Sequence, residues 1–425
     1  MFSRSKITGI CLVVAATLLT GQVRVGGTGL GSFASSAQPR WLGNTPGFHF
    51  DLGSRTSTTD PSSWRYLRFT VIKANYGGVS LRGNHGLFQA GSNLNQMMFI
   101  IPIKQKAAIG FGLEPYLDQG YEMTSTGSTF QSWDSTYAYS GSLQSAGGMS
   151  QAFFGFGARF KDRIDLGIKF SGIFGSQRVK SSTDLGSHNF VQWTRSDYSG
   201  SIAQFFFSLN DVRFRHYSLW IKSSLTFPFA PISVARSQYQ LFQDVNEAGI
   251  NDDFHDLYDF PSPVANLKPI SSTIRDVHAP VSIVLATGLQ TGKTSQLVTQ
   301  ASLWKENGRN AEQATLSNHP LDVNLNGSIT WHHFTGDYLK TLTSRLRYSA
   351  GVYGSRFNFK GSAENINEVG VTARVGIKFG VTDNAIDFDY SYGFRSGGIS
   401  PVNSIQKFSI NLSLSDIWFV KRRAI

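Results

Sequence analysis

Five charged residues near the C-terminus, Arg374, Lys378, Asp387, Asp389 and Arg395, each stand at every second position or so between apolar residues. On extended chain that spacing puts them on one face of two neighbouring segments, where opposite charges can neutralise one another. Such a face is either the polar wall of a conduit or an ion-pair network inside a closed interior. Pairing is favoured, because an unpaired charge in a confined space is costly. Other chemically suggestive residues have plainer readings. The run Gly288-Leu289-Gln290-Thr291-Gly292-Lys293-Thr294 resembles a phosphate-binding loop, but it has three residues between its glycines where four are needed, and it joins two strands. It is read as a turn. His332 and His333 are adjacent, so on a strand they face opposite sides and cannot chelate one metal together. The acidic stretch with Glu247, Asp252, Asp253 and Asp256 lacks the ordered spacing and glycine of a calcium loop and is read as a solvated loop. No Ser/His/Asp arrangement can be assigned to one face. No catalytic residue, metal site or cofactor is therefore expected, and the chain is not read as an enzyme.

The elements that carry these residues begin with an N-terminal leader. Arg4 and Lys6 precede an apolar run from Ile7 to Leu19, too short to span a bilayer as a helix but suited to a signal peptide. Residues 1–22 are assigned to it, with cleavage between 20 and 27. Cys11, the single cysteine of the chain, lies inside that run, which removes disulfides and thiolate chemistry from the remainder. No later stretch has eighteen consecutive apolar residues, so a helical membrane protein is excluded. The net charge of +11 is scattered over alternating positions and forms no basic helix, which argues against a nucleic-acid partner.

Period-two alternation organises the rest. Phe408, Ile410, Leu412 and Leu414 alternate with Ser409, Asn411, Ser413 and Ser415. Ile386, Phe388, Tyr390, Tyr392 and Phe394 alternate with Asp387, Asp389, Ser391, Gly393 and Arg395, and a short turn joins them to the run from Val369 to Phe379. Strands of about ten residues or more, apolar on one face, suit a membrane wall better than a soluble sandwich. Counting such runs gives fourteen, beginning near residues 66, 94, 107, 149, 164, 191, 214, 280, 295, 321, 342, 366, 385 and 404. Tight turns are expected at 104–106, 161–163, 210–211, 291–293, 334–338 and 381–384, and long polar loops at 126–147, 181–189, 230–278 and 306–320. Short turns at one end and long loops at the other are the asymmetry of an outer-membrane barrel. The expectation is an all-β, transmembrane antiparallel β-barrel of about fourteen strands over 63–419, with a small plug segment at 23–62, a basic tail at 420–425 and a polar lumen. Phe388→Arg should then be damaging and Ser391→Arg mild.

Several segments carry a family resemblance over most of the mature chain. Gly26-Gly27-Thr28-Gly29, Asn44-Thr45-Pro46-Gly47-Phe48, Gly110-Phe111-Gly112-Leu113-Glu114-Pro115-Tyr116, the stretch from Ile366 to Thr372 and the ending Leu412 to Phe419 resemble, in order, elements of the FadL-like outer-membrane transport proteins, above all the divergent members of Bacteroidetes type. The Asn-Thr-Pro here replaces that family's Asn-Pro-Ala. The resemblance implies a plug containing Gly26, Gly27, Gly29, Asn44, Pro46 and Phe48. It also implies a kinked third strand with a lateral opening at Pro115, Tyr116 and Gly120. Proline has no donor for the ladder, so the kink accords with the residue itself, although a bulge at the rim would account for it equally. Implied partners are membrane lipid and a hydrophobic small molecule, with the barrel a monomer. Passive uptake of long-chain fatty-acid-like compounds with lateral release is the function the resemblance implies. A non-transporting interaction barrel, such as a part of secretion machinery, is the alternative.

Overall fold

The computed structural model describes residues 32–33, 48, 50, 56–83, 88–118, 121–132, 135–184, 189–214, 217–238, 242–243, 270–292, 294–311, 321–334, 345–360, 365–379, 384–397 and 402–416. The signal-peptide and basic-tail assignments lie outside these residues. Eighteen strands form one antiparallel sheet. Two of them are two-residue pairings, and Tyr121–Ser132 and Ile270–His278 extend the sheet beyond the wall, which leaves fourteen wall strands.

In chain order the wall consists of β1 (Thr70–Gly83), β2 (Phe88–Ile103), β3 (Ala107–Asp118), β4 (Ser135–Lys161), β5 (Ile164–Asp184), β6 (Asn189–Phe214) and β7 (Tyr217–Gln238). It continues with β8 (Val281–Gln290), β9 (Ser295–Lys305), β10 (Leu321–His333), β11 (Leu346–Phe359), β12 (Asn365–Phe379), β13 (Asn384–Ser396) and β14 (Val402–Asp416). Pairing of β14 with β1, from Asp416↔Thr70 to Val402↔Gly83, closes the cylinder. Closure is what a barrel in lipid requires, because an open edge would leave backbone donors and acceptors without water. Among the described residues one short helix, α1 (Pro61–Trp64), is present, and it lies inside.

The alternation decides the faces. On β13, Phe388, Tyr390 and Phe394 are exposed to the outside, whereas Asp387, Asp389 and Ser391 are buried inside. Phe388→Arg is therefore expected to cost about 2 to 4 kcal/mol near the mid-plane. Phe388→Leu is the matched control, and urea unfolding of the refolded barrel in detergent checks the pair. An equal response to both would mean that the face is wrongly assigned. Ser391→Arg is not the mild substitution the alternation suggests, since Ser391 is fully buried and the inward side leaves no room for a guanidinium.

Other expectations also need correction. Residues 126–147 are not a loop: Tyr121–Ser132 pairs with the upper part of β4, and β4 continues as a strand of 27 residues. The long stretch 230–278 begins and ends as strand, since β7 reaches Gln238 and Ile270–His278 pairs with it. Asn210–Asp211 is a bulge rather than a turn. Asp211 has a positive φ of 57°, the Asn210 amide donates to the Arg163 carbonyl at 2.8 Å, and β6 runs on to Phe214. At Lys104 and Gln105 the expected tight turn is present, with both residues at positive φ as a type I′ turn requires.

Candidate functional site

A stopper is built at the short-turn end from the segment that leads into β1. Asp60 followed by Pro61 is a helix-start pattern, a capping carboxylate before a residue whose missing amide hydrogen is not needed. Accordingly the Ser62 amide donates to Asp60 Oδ1 at 3.0 Å. The other oxygen of Asp60 accepts from Lys222 Nζ at 2.6 Å, and both side chains are fully buried. One turn later Arg65 forms a two-point pair with Asp165, at 2.5 and 2.9 Å. Tyr66 Oη and Asn210 Nδ2 also donate to that carboxylate, each at 2.8 Å. Burial first, and the Asp165 charge second, push the Tyr66 phenol well above its ordinary value, so it stays a donor.

Glycines make the seat for α1. A Cβ on Gly157 would fall 1.9 Å from the Pro61 carbonyl oxygen, and those on Gly110 and Gly155 would strike the Trp64 ring at 2.6 and 2.7 Å. Inward glycines on β3 and β4 thus let a helix approach the wall where any side chain would hold it off. Upstream, the Phe48 amide donates to Gln300 Oε1 at 3.1 Å, and Arg374 donates to the Phe50 carbonyl at 2.8 Å. Phe48 and Phe50 pack with Phe206, Trp220, Val284 and Val298. Among the expected plug residues, Phe48 is inside the lumen; Gly26, Gly27, Gly29, Asn44 and Pro46 lie outside the described residues.

The wall is interrupted beside Pro115. β2 and β3 pair from Ile103↔Ala107 to Met97↔Leu113 and no further, while β2 continues to Phe88 on β1. From Glu114 onward β3 keeps its partner on the β4 side, with a register shift between Pro115 and Leu117. On the released edge Ser32–Phe33 pairs with Leu117 and Asp118. Glu114 holds the junction. Its buried carboxylate accepts from Gln96 Nε2 at 2.8 Å, Gln151 Nε2 at 2.6 Å and Lys169 Nζ at 2.7 Å, so side chains of β2, β4 and β5 meet where the ladder stops. Tyr116 reaches across the lumen to His278 Nε2 at 2.8 Å, and His278 Nδ1 contacts Glu306. Burial would raise the Glu306 carboxyl, but the His278 charge and the amides of Ala279 and Gly308 hold it below its ordinary value. Gly120 lies outside the described residues.

The lumen is not uniformly polar. Leu117, Met149, Ile173, Tyr198, Ile202, Ile232 and Val234 of the wall, with Val277 of Ile270–His278, form a buried apolar cluster beyond the break. Against it, a cavity of about 50 Å³ has a mixed lining, with Phe48, Pro115, Tyr116, Ile202, Phe206 and Trp304 on its apolar side and Gln151, Lys169, Gln204, Ser224, Thr226 and Ser282 among its polar groups. On the opposite side the charged residues are paired. Arg374 meets Asp389 directly across the β12–β13 ladder; Asp387 accepts both arms of Arg347, at 2.8 and 2.7 Å; Arg395 pairs with Glu368 at 2.7 Å. Lys378 is half-buried near the short-turn end of β12. Sequence reasoning missed Asp60, Glu114, Asp165 and Lys222. Alternation places Glu114 inward next to the outward Leu113, and the Asp-Pro step marks Asp60, but nothing in the sequence pairs either with its lysine.

A family model described as BamG matches residues 61–424. No curated protein matches the chain. Among solved structures, the barrel is similar to a FadL homologue of Pseudomonas aeruginosa, with a TM-score of 0.55 and 10% identity over 92% of this chain and 99% of that one. It is also similar to the P. putida toluene transporter TodX, with a TM-score of 0.51 and 10% identity over 90% and 99% of the two chains. The monoaromatic hydrocarbon channel CymD gives 0.51 and 10% over 93% and 99%. At such identities the likeness is one of fold, and it shares the fourteen-stranded wall. The chain is a bacterial outer-membrane β-barrel with a FadL-like fold and belongs to the BamG family.

Proposed function

We propose that this barrel, as a monomer, takes up hydrophobic small molecules and releases them sideways into the membrane beside Pro115. One observation carries the reading: the β2–β3 ladder stops at Leu113 where the inner face of the barrel turns apolar and keeps a cavity. A side exit needs no water channel past the stopper, so a greasy solute moves from the apolar cluster to lipid without crossing the ion pairs at the short-turn end. The toluene transporter and hydrocarbon channel named above suggest monoaromatic compounds as cargo, and the FadL homologue suggests fatty acids. The cavity as it stands holds no more than a few waters, so passage requires Tyr116 or Phe48 to move and Ser32–Phe33 to leave the edge of β3.

Uptake of radiolabelled toluene and of a long-chain fatty acid into cells expressing the barrel tests this. Ile202→Trp fills the cavity, and Pro115→Val restores a ladder donor. Either variant, folded by heat-modifiable migration, should lower uptake at least severalfold. Undiminished uptake by both folded variants would refute lateral release. The second reading, a non-transporting interaction barrel, is favoured by the stopper's fixed seat and the small cavity; a parent barrel that takes up neither compound would establish it over transport.

A further inference from the structure

We propose that the outer face of β8–β11 is a binding site for a phosphorylated glycolipid of the outer leaflet, with an acyl chain in a groove of the wall and the phosphate between Lys305 and Arg356. The groove has a volume of about 420 Å³ and lies on the lipid side. Its floor is Ala301, Gly327 and Gly354; Leu285, Ile329 and Val352, each about half exposed, stand as its walls. Thr287 and Thr299 hydrogen-bond to each other at 2.7 Å, so their hydroxyls are satisfied and the lining stays apolar. Packing does not explain the two glycines. A Cβ on Gly327 would meet nothing closer than the Gln300 carbonyl oxygen at 4.0 Å, and one on Gly354 nothing closer than 3.9 Å. This is unlike Gly288, whose Cβ would lie 2.0 Å from the Trp220 ring. The missing side chains leave a furrow in an otherwise bulky lipid face, wide enough for a hydrocarbon chain.

Charge fixes the occupant. Above the groove, towards the long-loop end, Lys305 closes β9 opposite Val323 and Arg356 lies on β11 opposite Leu325, both on the outward face and exposed. They flank β10 two residues out of step, so two strand spacings and a two-residue rise separate them by about 12 Å. Arg356 Nε donates to Asn358 at 3.3 Å, and among the described residues no carboxylate pairs with either cation. Two cations at the membrane surface that no described carboxylate neutralises, over an apolar furrow, match a lipid with an anionic head and a hydrocarbon tail. On the side of the barrel bearing the long loops, that leaflet is built from phosphorylated glycolipid. The site is outside the lumen and does not rest on the transport reading.

Native mass spectrometry of the purified barrel in detergent, with added monophosphorylated lipid A, its dephosphorylated form or phosphatidylglycerol, tests the proposal. The phosphorylated glycolipid should be retained preferentially. Lys305→Gln and Arg356→Gln should each weaken retention about fivefold, as expected for one cation near an anionic surface. Gly327→Leu with Gly354→Leu should abolish it while leaving the melting temperature unchanged, because both side chains enter open space. Equal retention of the dephosphorylated lipid or of phosphatidylglycerol would overturn the assignment, as would charge variants that bind like the parent. A parent that runs as an oligomer, made monomeric by the leucine pair without loss of lipid, would make the groove a protein interface and the proposal wrong.

Discussion

Asp60→Asn is expected to lower the unfolding free energy of the barrel by about 3 to 5 kcal/mol, because it strands the Lys222 ammonium in a fully buried position. The asparagine still caps α1, so the loss isolates the ion pair from the helix start. Combining it with Lys222→Met should recover most of the loss, since replacing both members of a buried pair by groups without charge is often neutral. Denaturant unfolding measures the stability, and planar-bilayer conductance reads the stopper itself. Release of α1 should appear as a conductance absent from the parent. If Asp60→Asn is as stable as the parent and equally closed, the stopper is held by its glycine seat and the ion pair is incidental.

Glu114→Ala is the second large effect. The carboxylate gathers two glutamines and Lys169 at the point where the β2–β3 ladder ends, so its removal leaves the Lys169 ammonium buried and the junction without its tie. A cost of about 3 to 5 kcal/mol is expected, partly relieved by Lys169→Met. Lys169 also lies 4.1 Å from the Phe153 ring centre, and that contact will moderate the loss. Hydrogen exchange distinguishes this from general destabilisation. Amides of Leu113 and Leu117 should lose protection well before those of β12 and β13. Uniform loss over the whole barrel would show that Glu114 supports the fold without governing the break.

Much of the architecture is legible because lipid enforces alternation. Where one face of a strand meets hydrocarbon and the other a polar interior, as from Ile386 to Phe394, the period of two is plain and the strand is found. Legibility fails where that contrast fails. Around Ile173 and Phe174, and around Ile202, both faces are apolar, because the inner cluster sits behind an already apolar outer surface. Tyr121–Ser132 and the part of β4 that pairs with it are rich in serine and threonine, a composition that imitates a loop in the sequence. Asn210 and Asp211 carry turn chemistry, but a bulge uses the same positive-φ residue, and only pairing across the ladder distinguishes the two.

The sequence by itself determined the all-β wall, its fourteen strands and the inward position of Arg374, Asp387, Asp389 and Arg395, since each follows from a local period imposed by the two solvents. It also marked Pro115 as a residue that a continuous ladder cannot use fully. Partnership was decided only by the tertiary structure. Asp60 and Lys222, Glu114 and Lys169, and Arg65 and Asp165 are far apart in the chain, and an inward-facing charge has many inward-facing candidates. Which of them it meets depends on the shear of the closed cylinder and on how deeply α1 sinks between Gly110, Gly155 and Gly157, and no local pattern encodes either.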